Sequence, residues 1–285
     1  MKVLDFLEEF YYNFTGEKGI IGKTVLDKPI YYFKVFKSEY PKIIVTAGIH
    51  AREYITTYLS LELIKDFAKF GEVGTVYFVP AVNVDGIKIA TSKRKLYKAN
   101  YRRVDLNVNF DAKFSKGEKN VKYFSDENFI GPFAFSEPET LALKNFTEYV
   151  KPNLTISYHS KGQEIYYNFY QNKRDIKRDL IFAKIAQEKT QYKIVELFNS
   201  SGGYKDWCIR KFGIPSLTIE VGSDRLSHPI QRKRLNKILK ENRGLINALS
   251  LALKDYERKI YASCNKRSKK MSSARRSAYR RDNSI

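Results

Sequence analysis

Two histidines and one glutamate stand where buried strands could bring their side chains together. His50 and Glu53 follow the apolar run 44–49, and His159 follows a second apolar run, 154–158. If the two runs form neighbouring strands, all three side chains meet at one edge of a sheet. Zinc accepts both imidazole nitrogen and carboxylate oxygen as ligands. The chain has only three histidines and two of them end such runs, so the pattern predicts a metal site capable of hydrolysis.

The composition indicates a folded chain with a strongly basic surface. Its 285 residues are 43% hydrophobic and 14% aromatic, enough for a sizeable core in one or two domains. The formal net charge of +21 exceeds what solubility requires. Such a charge favours anionic partners, such as nucleic acid, anionic lipid or an acidic wall polymer. A lysine-rich surface without a dedicated partner explains the charge equally well.

Cysteine usage and the N-terminal segment favour a cytoplasmic protein. Cys208 and Cys264 lie far apart and have neither zinc-finger nor CxxC spacing, so we expect free thiols in a reducing compartment. Asp5, Glu8 and Glu9 interrupt the segment where a signal peptide would need an apolar core. No segment reaches the length of a membrane span. Association with the cell wall is the alternative to a purely cytoplasmic location.

Hydrophobic periodicity predicts alternating strands and helices. The predicted strands cover residues 19–25, 30–36, 42–47, 75–79, 154–158, 164–169 and 215–220. The predicted helices cover residues 3–14, 54–69, 176–191 and 229–255, with a further helix that opens at the capping box 136–139. This alternation predicts an α/β sheet covered by helices on both faces. The region 80–135 lacks periodicity, and a loop of that length is usually functional.

The composition changes near residue 256. The segment 256–285 is rich in Lys, Arg and Ser and has almost no aliphatic residues. Such a composition is typical of disorder. The sequence therefore predicts a globular domain over 1–255 and a basic tail over 256–285, whose simplest role is to keep the protein in solution.

Four further segments extend the pattern around the candidate ligands. They are Pro80–Gly86, Arg102–Phe110, Gly202–Trp207 and Thr218–Gly222. Together with the HxxE segment and the later histidine, they resemble the zinc metallocarboxypeptidase family in order and rough spacing over about residues 40–225. The resemblance implies one zinc peptidase domain over 1–255, with a three-layer α/β/α fold and a central mixed sheet.

The resemblance also implies roles for individual residues. His50, Glu53 and His159 would bind one zinc ion, which leaves the fourth position for water. Glu220 would be the general base that takes the proton of the attacking water. Arg102 matches the arginine that stabilises the developing oxyanion.

Three more positions match residues around the substrate or the metal. Arg52 and Asn107 match positions that hold the substrate. Asp105 is expected to orient its loop or a metal ligand.

The chain departs from the family pattern at three positions in the substrate site. Exopeptidases of the family usually carry an arginine for the terminal carboxylate where this chain has Val108, so a charge-assisted contact is lost. Phe198 stands where they carry a tyrosine, which keeps the ring and loses the hydroxyl. Lys205 occupies the pocket position before Asp206 and would favour a carboxylate on the leaving group, unless its charge is simply solvated.

These departures resemble the bacterial branch that cleaves γ-D-glutamyl–diaminopimelate bonds in peptidoglycan stem peptides. Segments 105–112 and 158–162 look most like that branch. We therefore expect a zinc-dependent peptidase acting on muropeptides, with an anionic wall polymer as a further partner of the basic surface and tail. Nucleic acid is not the expected partner.

Two alternatives stay open. One is a metallocarboxypeptidase of unusual C-terminal specificity, which would use Arg102 or Lys205 for the terminal carboxylate. The other is an inactive basic scaffold that binds an anionic polymer, although all the metal and base residues are present.

Overall fold

A computed structural model describes residues 2–259, so Cys264 and the predicted tail beyond residue 259 lie outside the described residues. The strands are β1 (Lys18–Lys23), β2 (Pro29–Phe36), β3 (Lys42–Thr46), β4 (Thr75–Val79), β5 (Leu154–His159), β6 (Glu164–Tyr166), β7 (Lys193–Ile194) and β8 (Ser216–Glu220). The helices are α1 (Val3–Asn13), α2 (Ile55–Phe70), α3 (Val84–Ala90), α4 (Pro138–Val150), α5 (Lys173–Thr190), α6 (Tyr204–Phe212), α7 (Leu235–Asn242) and α8 (245–259).

The eight strands form one mixed sheet in the order β1-β2-β4-β3-β5-β8-β6-β7. The four inner strands β4, β3, β5 and β8 run parallel, whereas β2 and β6 pair antiparallel with their inner neighbours. Strands β3 and β5 pair directly, with Thr46 opposite Ser157. The mixed sheet predicted from the sequence is therefore confirmed, and the segments after the two ligand-bearing strands leave the sheet side by side.

Alternate residues of each strand face different layers of helices. On β3, Ile43 and Val45 pack into the core formed with α1, α2, α5, α7 and α8, whereas Ile44 packs into the core formed with α4 and α6. Each such buried aliphatic side chain contributes about 1.5–3 kcal/mol to stability. The sheet, with one core and one layer of helices on each face, forms the three-layer α/β/α fold that the family resemblance implies.

The long C-terminal helix predicted over 229–255 is divided in the structure. A 3-10 turn over Arg232–Arg234 comes first, and α7 follows. Gly244 then has φ +74°, a backbone conformation that glycine adopts without strain, and separates α7 from α8. Residues 256–259, which the sequence assigns to the tail, continue α8.

Other differences concern short elements. The strand predicted over 164–169 ends at Tyr166. The region 80–135 contains α3, whose N-cap Asn83 accepts the Gly86 N–H at 3.0 Å, but seven residues are too few to show a helical period. The two-residue β7 is likewise too short to recognise. Helix α6 was not predicted because six consecutive residues of it are buried, which removes the alternation of polar and apolar faces.

Cys208 lies buried in α6 as a free thiol. Burial raises the pKa of this thiol to about 12, so it is protonated and unreactive at neutral pH. Among residues 2–259, no helix is long and apolar enough to cross a membrane.

Two buried carboxyl groups at the start of α4 hold the loop segment around Asn100 in place. Asn100 Nδ2 donates to Glu137 at 2.7 Å and to Glu139 at 3.1 Å, while Asn100 Oδ1 accepts the N–H groups of Arg102 and Val104. Burial raises the pKa of Glu139 to about 7, despite the hydrogen bonds that it accepts. The ionised form of Glu139 is therefore disfavoured in the folded protein.

We expect Glu139 to make stability fall as pH rises from about 4.5 to about 7. In that range the folded protein holds a proton on Glu139 that the unfolded chain has lost, so the free energy of unfolding decreases by about 3 kcal/mol and then levels off. Glu139→Gln removes this titration. Urea unfolding at both ends of the range measures the free energy of unfolding of variant and wild type. The difference between the two should shift in favour of the variant by about 3 kcal/mol from the lower pH to the higher pH.

Glu148→Gln, on the more exposed side of α4, is the control and should show the wild-type pH dependence. An unchanged pH dependence in Glu139→Gln would contradict the assignment to this buried carboxyl group.

Candidate metal centre

The loop after β3 carries His50, and neighbouring segments fix its backbone. The Gly48 N–H donates to Thr56 Oγ1 at 3.0 Å, and Asn83 Nδ2 donates to the Ile49 carbonyl at 3.1 Å. Gly48 has φ +61°, and a Cβ at this position would lie 2.8 Å from a hydroxyl oxygen of α2. A glycine is therefore required where the chain turns out of the sheet.

A 3-10 turn over Ala51–Glu53 brings the Glu53 carboxylate against His50, and β5 places His159 beside them. His50 Nδ1 lies 2.9 Å from Glu53 Oε1. His159 Nδ1 lies 3.1 Å from Glu53 Oε2 and 3.1 Å from His50 Nδ1. All three residues are buried, and their candidate ligand atoms lie within 4.8 Å of one another. The structure thus brings together the three residues that the sequence predicts as metal ligands.

The other nitrogen of each imidazole has its own partner. His50 Nε2 lies 3.2 Å from Asp105 Oδ1, and His159 Nε2 lies 3.1 Å from Ser157 Oγ. In the tautomer that binds a metal, each Nε2–H donates to its partner and the lone pair on each Nδ1 points to the shared centre. A hydrogen bond to Glu53 instead requires the proton on Nδ1. Asp105 Oδ1 also accepts the Asn107 N–H at 3.1 Å, so this carboxylate orients both its loop and a ligand.

Local charges and burial keep Glu53 and His159 in the protonation states that bind a metal. Burial alone would lower the pKa of His50, but the carboxylates of Glu53 and Asp105 raise it, so a metal must displace a proton there. Burial alone would raise the pKa of Glu53, but His50 and the hydrogen bonds from both imidazoles hold it well below its usual range. Burial lowers the pKa of His159. Asp105 keeps a low pKa despite its burial because the Lys98 ammonium and His50 lie beside it. The centre therefore offers ionised carboxylates and a neutral His159.

A cavity of about 300 Å³ opens beside the triad, with His50 in its wall. Segments 117–120 and 197–201 form part of the same wall. Five residues predicted to act on or bind the substrate also line it: Asn107, Val108, Phe198, Lys205 and Glu220. Residues from distant parts of the chain thus share one space with a metal ligand.

Glu220 ends β8 directly opposite His159 of β5. Its Oε2 atom is buried and has no hydrogen-bond partner in the described part of the chain. Burial, and then the charge of Glu53, raise the pKa of Glu220 well above the ordinary value. An unpartnered carboxylate oxygen with increased proton affinity suits a general base.

Lys205 is buried at the cavity wall, and only 6% of the residue is exposed. Its Nζ donates to the Asn168 carbonyl at 2.8 Å and to Asp206 Oδ1 at 2.5 Å. A lysine ammonium has three donors, so one remains for a ligand in the cavity.

The Asn107–Val108 segment is held against the loop before α6. Asn107 Oδ1 accepts the Tyr204 N–H at 3.1 Å. Gly202 has φ +84°, and a Cβ there would lie 2.5 Å from the Val108 carbonyl oxygen. Only glycine permits this approach, which fixes Val108 in the cavity wall. Phe198, from the same loop, is 70% exposed.

Arg52 and Arg102 do not line this cavity. The Arg52 guanidinium pairs with the Glu127 carboxylate. The Arg102 side chain is 55% exposed and lies 3.8 Å from Glu137, in the wall of a separate and mainly apolar cavity. Arg102 is held there because Asn100 accepts its backbone N–H and is itself anchored to α4. The structure thus places Arg102 outside the cavity that His50 lines, and its role as the oxyanion-stabilising cation stays a prediction.

Lys98 is one of three lysine cations that line the cavity, together with Lys119 and Lys205. Its Nζ lies 2.7 Å from Asp105 Oδ2. Burial would lower the pKa of Lys98, but Asp105 raises it above the ordinary value, so the ammonium stays charged. Its position between the apolar residues Tyr97 and Ala99, after a run of exposed basic residues, is the one sequence signal that could have identified it.

The family model of zinc carboxypeptidases, peptidase family M14, matches residues 2–244. The chain belongs to the zinc carboxypeptidase family. The matched region contains the His-Glu-His triad, and the family predicted from the sequence is confirmed.

Two curated relatives show the range of the family. The γ-D-glutamyl-L-diamino acid endopeptidase 1 of Lysinibacillus sphaericus is 25% identical over 266 residues, which cover 80% of this chain and 65% of that protein. Carboxypeptidase O of Bos taurus is 30% identical over 240 residues, which cover 70% of this chain and 63% of that protein. The chain spans just under two thirds of the length of these relatives.

Solved structures confirm the fold. Bovine thrombin-activatable fibrinolysis inhibitor, solved with tick carboxypeptidase inhibitor, aligns with a TM-score of 0.80 at 21% identity and covers 90% of this chain and 98% of that chain. The murein-tripeptide amidase of Escherichia coli O157 aligns with a TM-score of 0.60 at 20% identity and covers 82% and 93% of the two chains.

The donor set fits a single zinc ion, the metal of the zinc carboxypeptidase family. Two imidazole Nδ1 atoms and one carboxylate are the ligand types that catalytic zinc sites use. The cavity that His50 lines adjoins the triad and has Glu220 and Lys205 in its wall.

Asp105→Asn should weaken zinc binding without removing a zinc ligand. The variant loses the charge that orients His50 and places an amide beside Lys98. Loss of such a partner typically lowers metal affinity about 10–100-fold. Competition with a chelator of known zinc affinity measures the change. Asp224→Asn, which alters a carboxyl group with 72% side-chain exposure, is the control and should bind zinc as wild type does. Wild-type affinity in Asp105→Asn would contradict the orienting role.

Proposed function

We propose that the protein hydrolyses the γ-D-glutamyl–diaminopimelate bond of peptidoglycan stem peptides. The observation that carries the proposal is the composition of one cavity, which contains a zinc ligand, Glu220 and the buried cation Lys205. The same cavity has Val108 where exopeptidases of the family usually have a carboxylate-binding arginine. The name of the Lysinibacillus relative states activity on a γ-D-glutamyl-L-diamino acid bond, which supports this substrate class.

The cavity residues account for the chemistry of amide hydrolysis. Zinc held by the triad would lower the pKa of a water molecule and polarise the scissile carbonyl. Glu220 takes the proton of the attacking water and delivers it to the leaving amine. The Lys98 ammonium stabilises the negative charge that develops on the carbonyl oxygen. Lys98 thus takes the role that the family resemblance assigned to Arg102.

The polar groups of the cavity fit a diaminopimelate side chain, which ends in a carboxylate and an ammonium group. The remaining N–H donor of Lys205 suits the carboxylate. Asp206, which also lines the cavity, suits the ammonium. Val108 offers no cation to a terminal carboxylate, so recognition depends on the side chain of the leaving residue rather than on the chain end.

The zinc-loaded, full-length protein should cleave L-Ala-γ-D-Glu-meso-diaminopimelyl-D-Ala between glutamate and diaminopimelate. A chelator should abolish the cleavage and added zinc should restore it. Glu220→Gln should lower kcat by about 10²–10⁴-fold, because the amide cannot accept the proton, while zinc content stays at one ion per chain. Mass spectrometry of the products identifies the bond. Absence of chelator-sensitive cleavage at this bond would overturn the proposal.

Lys205→Met provides the matched test of specificity. It should raise KM by about tenfold or more for the diaminopimelate peptide and change it little for a peptide with lysine at that position, which lacks the side-chain carboxylate. Equal effects on both peptides would contradict the role of Lys205. Release of a C-terminal residue from free but not amidated peptides would identify a carboxypeptidase instead.

A further inference from the structure

A second cavity, separate from the metal centre, is lined by cationic side chains. It has a volume of about 820 Å³ and lies among the start of α1, the start of α2, the segment after α3 and the segment 225–234. We call it the cationic groove. Its lysines and arginines are Lys2, Lys95, Arg225, Arg232, Lys233 and Arg234. None of the residues that line it is an aspartate or a glutamate.

The positive charge of the groove is not compensated within residues 2–259. None of its six cationic side chains forms an ion pair there, whereas Arg103 pairs with Asp126 and Arg178 pairs with Asp179. Like charges gathered in one concave surface repel one another and raise the local concentration of anions. The groove therefore favours a ligand with several negative charges.

Two groups in the groove are held in place without a hydrogen-bond partner in the described chain. The Arg232 guanidinium lies 4.1 Å from the ring centre of Phe6 and 5.1 Å from that of Tyr58, which positions it by cation–π contacts. His228 Nδ1 is buried and has no hydrogen-bond partner. A guanidinium fixed in this way presents its N–H donors to phosphate in a planar fork.

The apolar residues of the groove exclude two common classes of anionic partner. Tyr58 is 8% exposed beneath Arg232 and Tyr54 is half-buried, so nucleobases find no open aromatic surface on which to stack. Val3 and Ile230 are buried, and Leu226 and Pro229 are only partly exposed. The groove therefore has no fully exposed apolar anchor of the kind that inserts into a lipid bilayer. Six of the eight exposed residues that line the groove are cationic.

We propose that the cationic groove binds a linear phosphodiester polyanion without bases, of the poly(glycerol phosphate) type. Tyr54 in its wall directly follows the zinc ligand Glu53, so the docked polymer would run close to the metal centre. The groove and the catalytic cavity share no lining residue, so they are distinct sites. The proposal does not depend on which peptide bond the enzyme cleaves.

The test measures binding of the full-length protein to poly(glycerol phosphate) by titration calorimetry at several salt concentrations. The triple variant Lys95→Gln, Arg225→Gln and Arg234→Gln removes three exposed charges of the groove and leaves the stacked Arg232 in place. Its affinity should fall by at least about tenfold. The slope of log K against log salt should fall by about 2, because each lost phosphate contact changes it by about 0.7–0.9.

The control removes the same charge from α5 by Lys173→Gln, Arg174→Gln and Lys177→Gln, at exposed residues that also lie outside the ion pairs described. Its affinity should stay within about twofold of wild type. Equal losses in both triple variants would show that net charge alone binds the polymer and would overturn the proposal, as would no binding by wild type. Tighter groove-dependent binding of single-stranded DNA, or of anionic vesicles, would overturn the assigned polymer class.

If the groove triple variant loses its thermal unfolding transition, the single variant Arg225→Gln decides the question. Its affinity should fall by about two- to threefold with a smaller salt slope. Unchanged affinity in that variant would contradict the proposal.

Discussion

The direct parallel pairing of β3 with β5 is the constraint on which the metal centre depends. It places the chain leaving β3 beside His159 at the end of β5, so that Glu53 reaches both imidazoles. A shift of one residue in this pairing would turn His159 to the opposite face of the sheet. The close β3–β5 register and the buried aliphatic residues that fix it therefore determine whether a zinc site exists at all.

A buried network of charges extends from this constraint. Asp105 lies between the His50 imidazole and the Lys98 ammonium, and each neighbour keeps the carboxylate ionised despite its burial. Removing one partner from such a network typically costs about 3–5 kcal/mol, because it leaves a charge buried without compensation. The same carboxylate thus orients a zinc ligand and fixes the Lys98 ammonium in the wall of the adjoining cavity, so the metal site and the proposed polarisation of the substrate depend on one residue.

The fold and the triad could be predicted because their signals are local. Apolar runs that end in a polar residue mark the carboxyl ends of buried strands, and His50, Glu53 and His159 all follow such runs. The contact of Lys98 with Asp105 could not be predicted, because it forms through a loop that has no regular period, although the apolar neighbours of Lys98 are a sequence signal for a buried position. The family resemblance matches Arg102 to the oxyanion-stabilising arginine, yet the backbone of Arg102 is anchored towards α4 and its side chain lies outside the cavity. The division of the C-terminal helix at Gly244 was missed because the apolar spacing continues through the break.

The position of zinc in a crystal of the metal-loaded protein, located by anomalous scattering at the zinc absorption edge, tests the metal centre directly. We expect one peak, bonded to Nδ1 of His50, Nδ1 of His159 and the Glu53 carboxylate. Asp105 should remain on His50 Nε2, and the fourth ligand should be a solvent molecule. A peak bonded to His50 Nε2 and Asp105, or a fourth protein ligand, would contradict this arrangement.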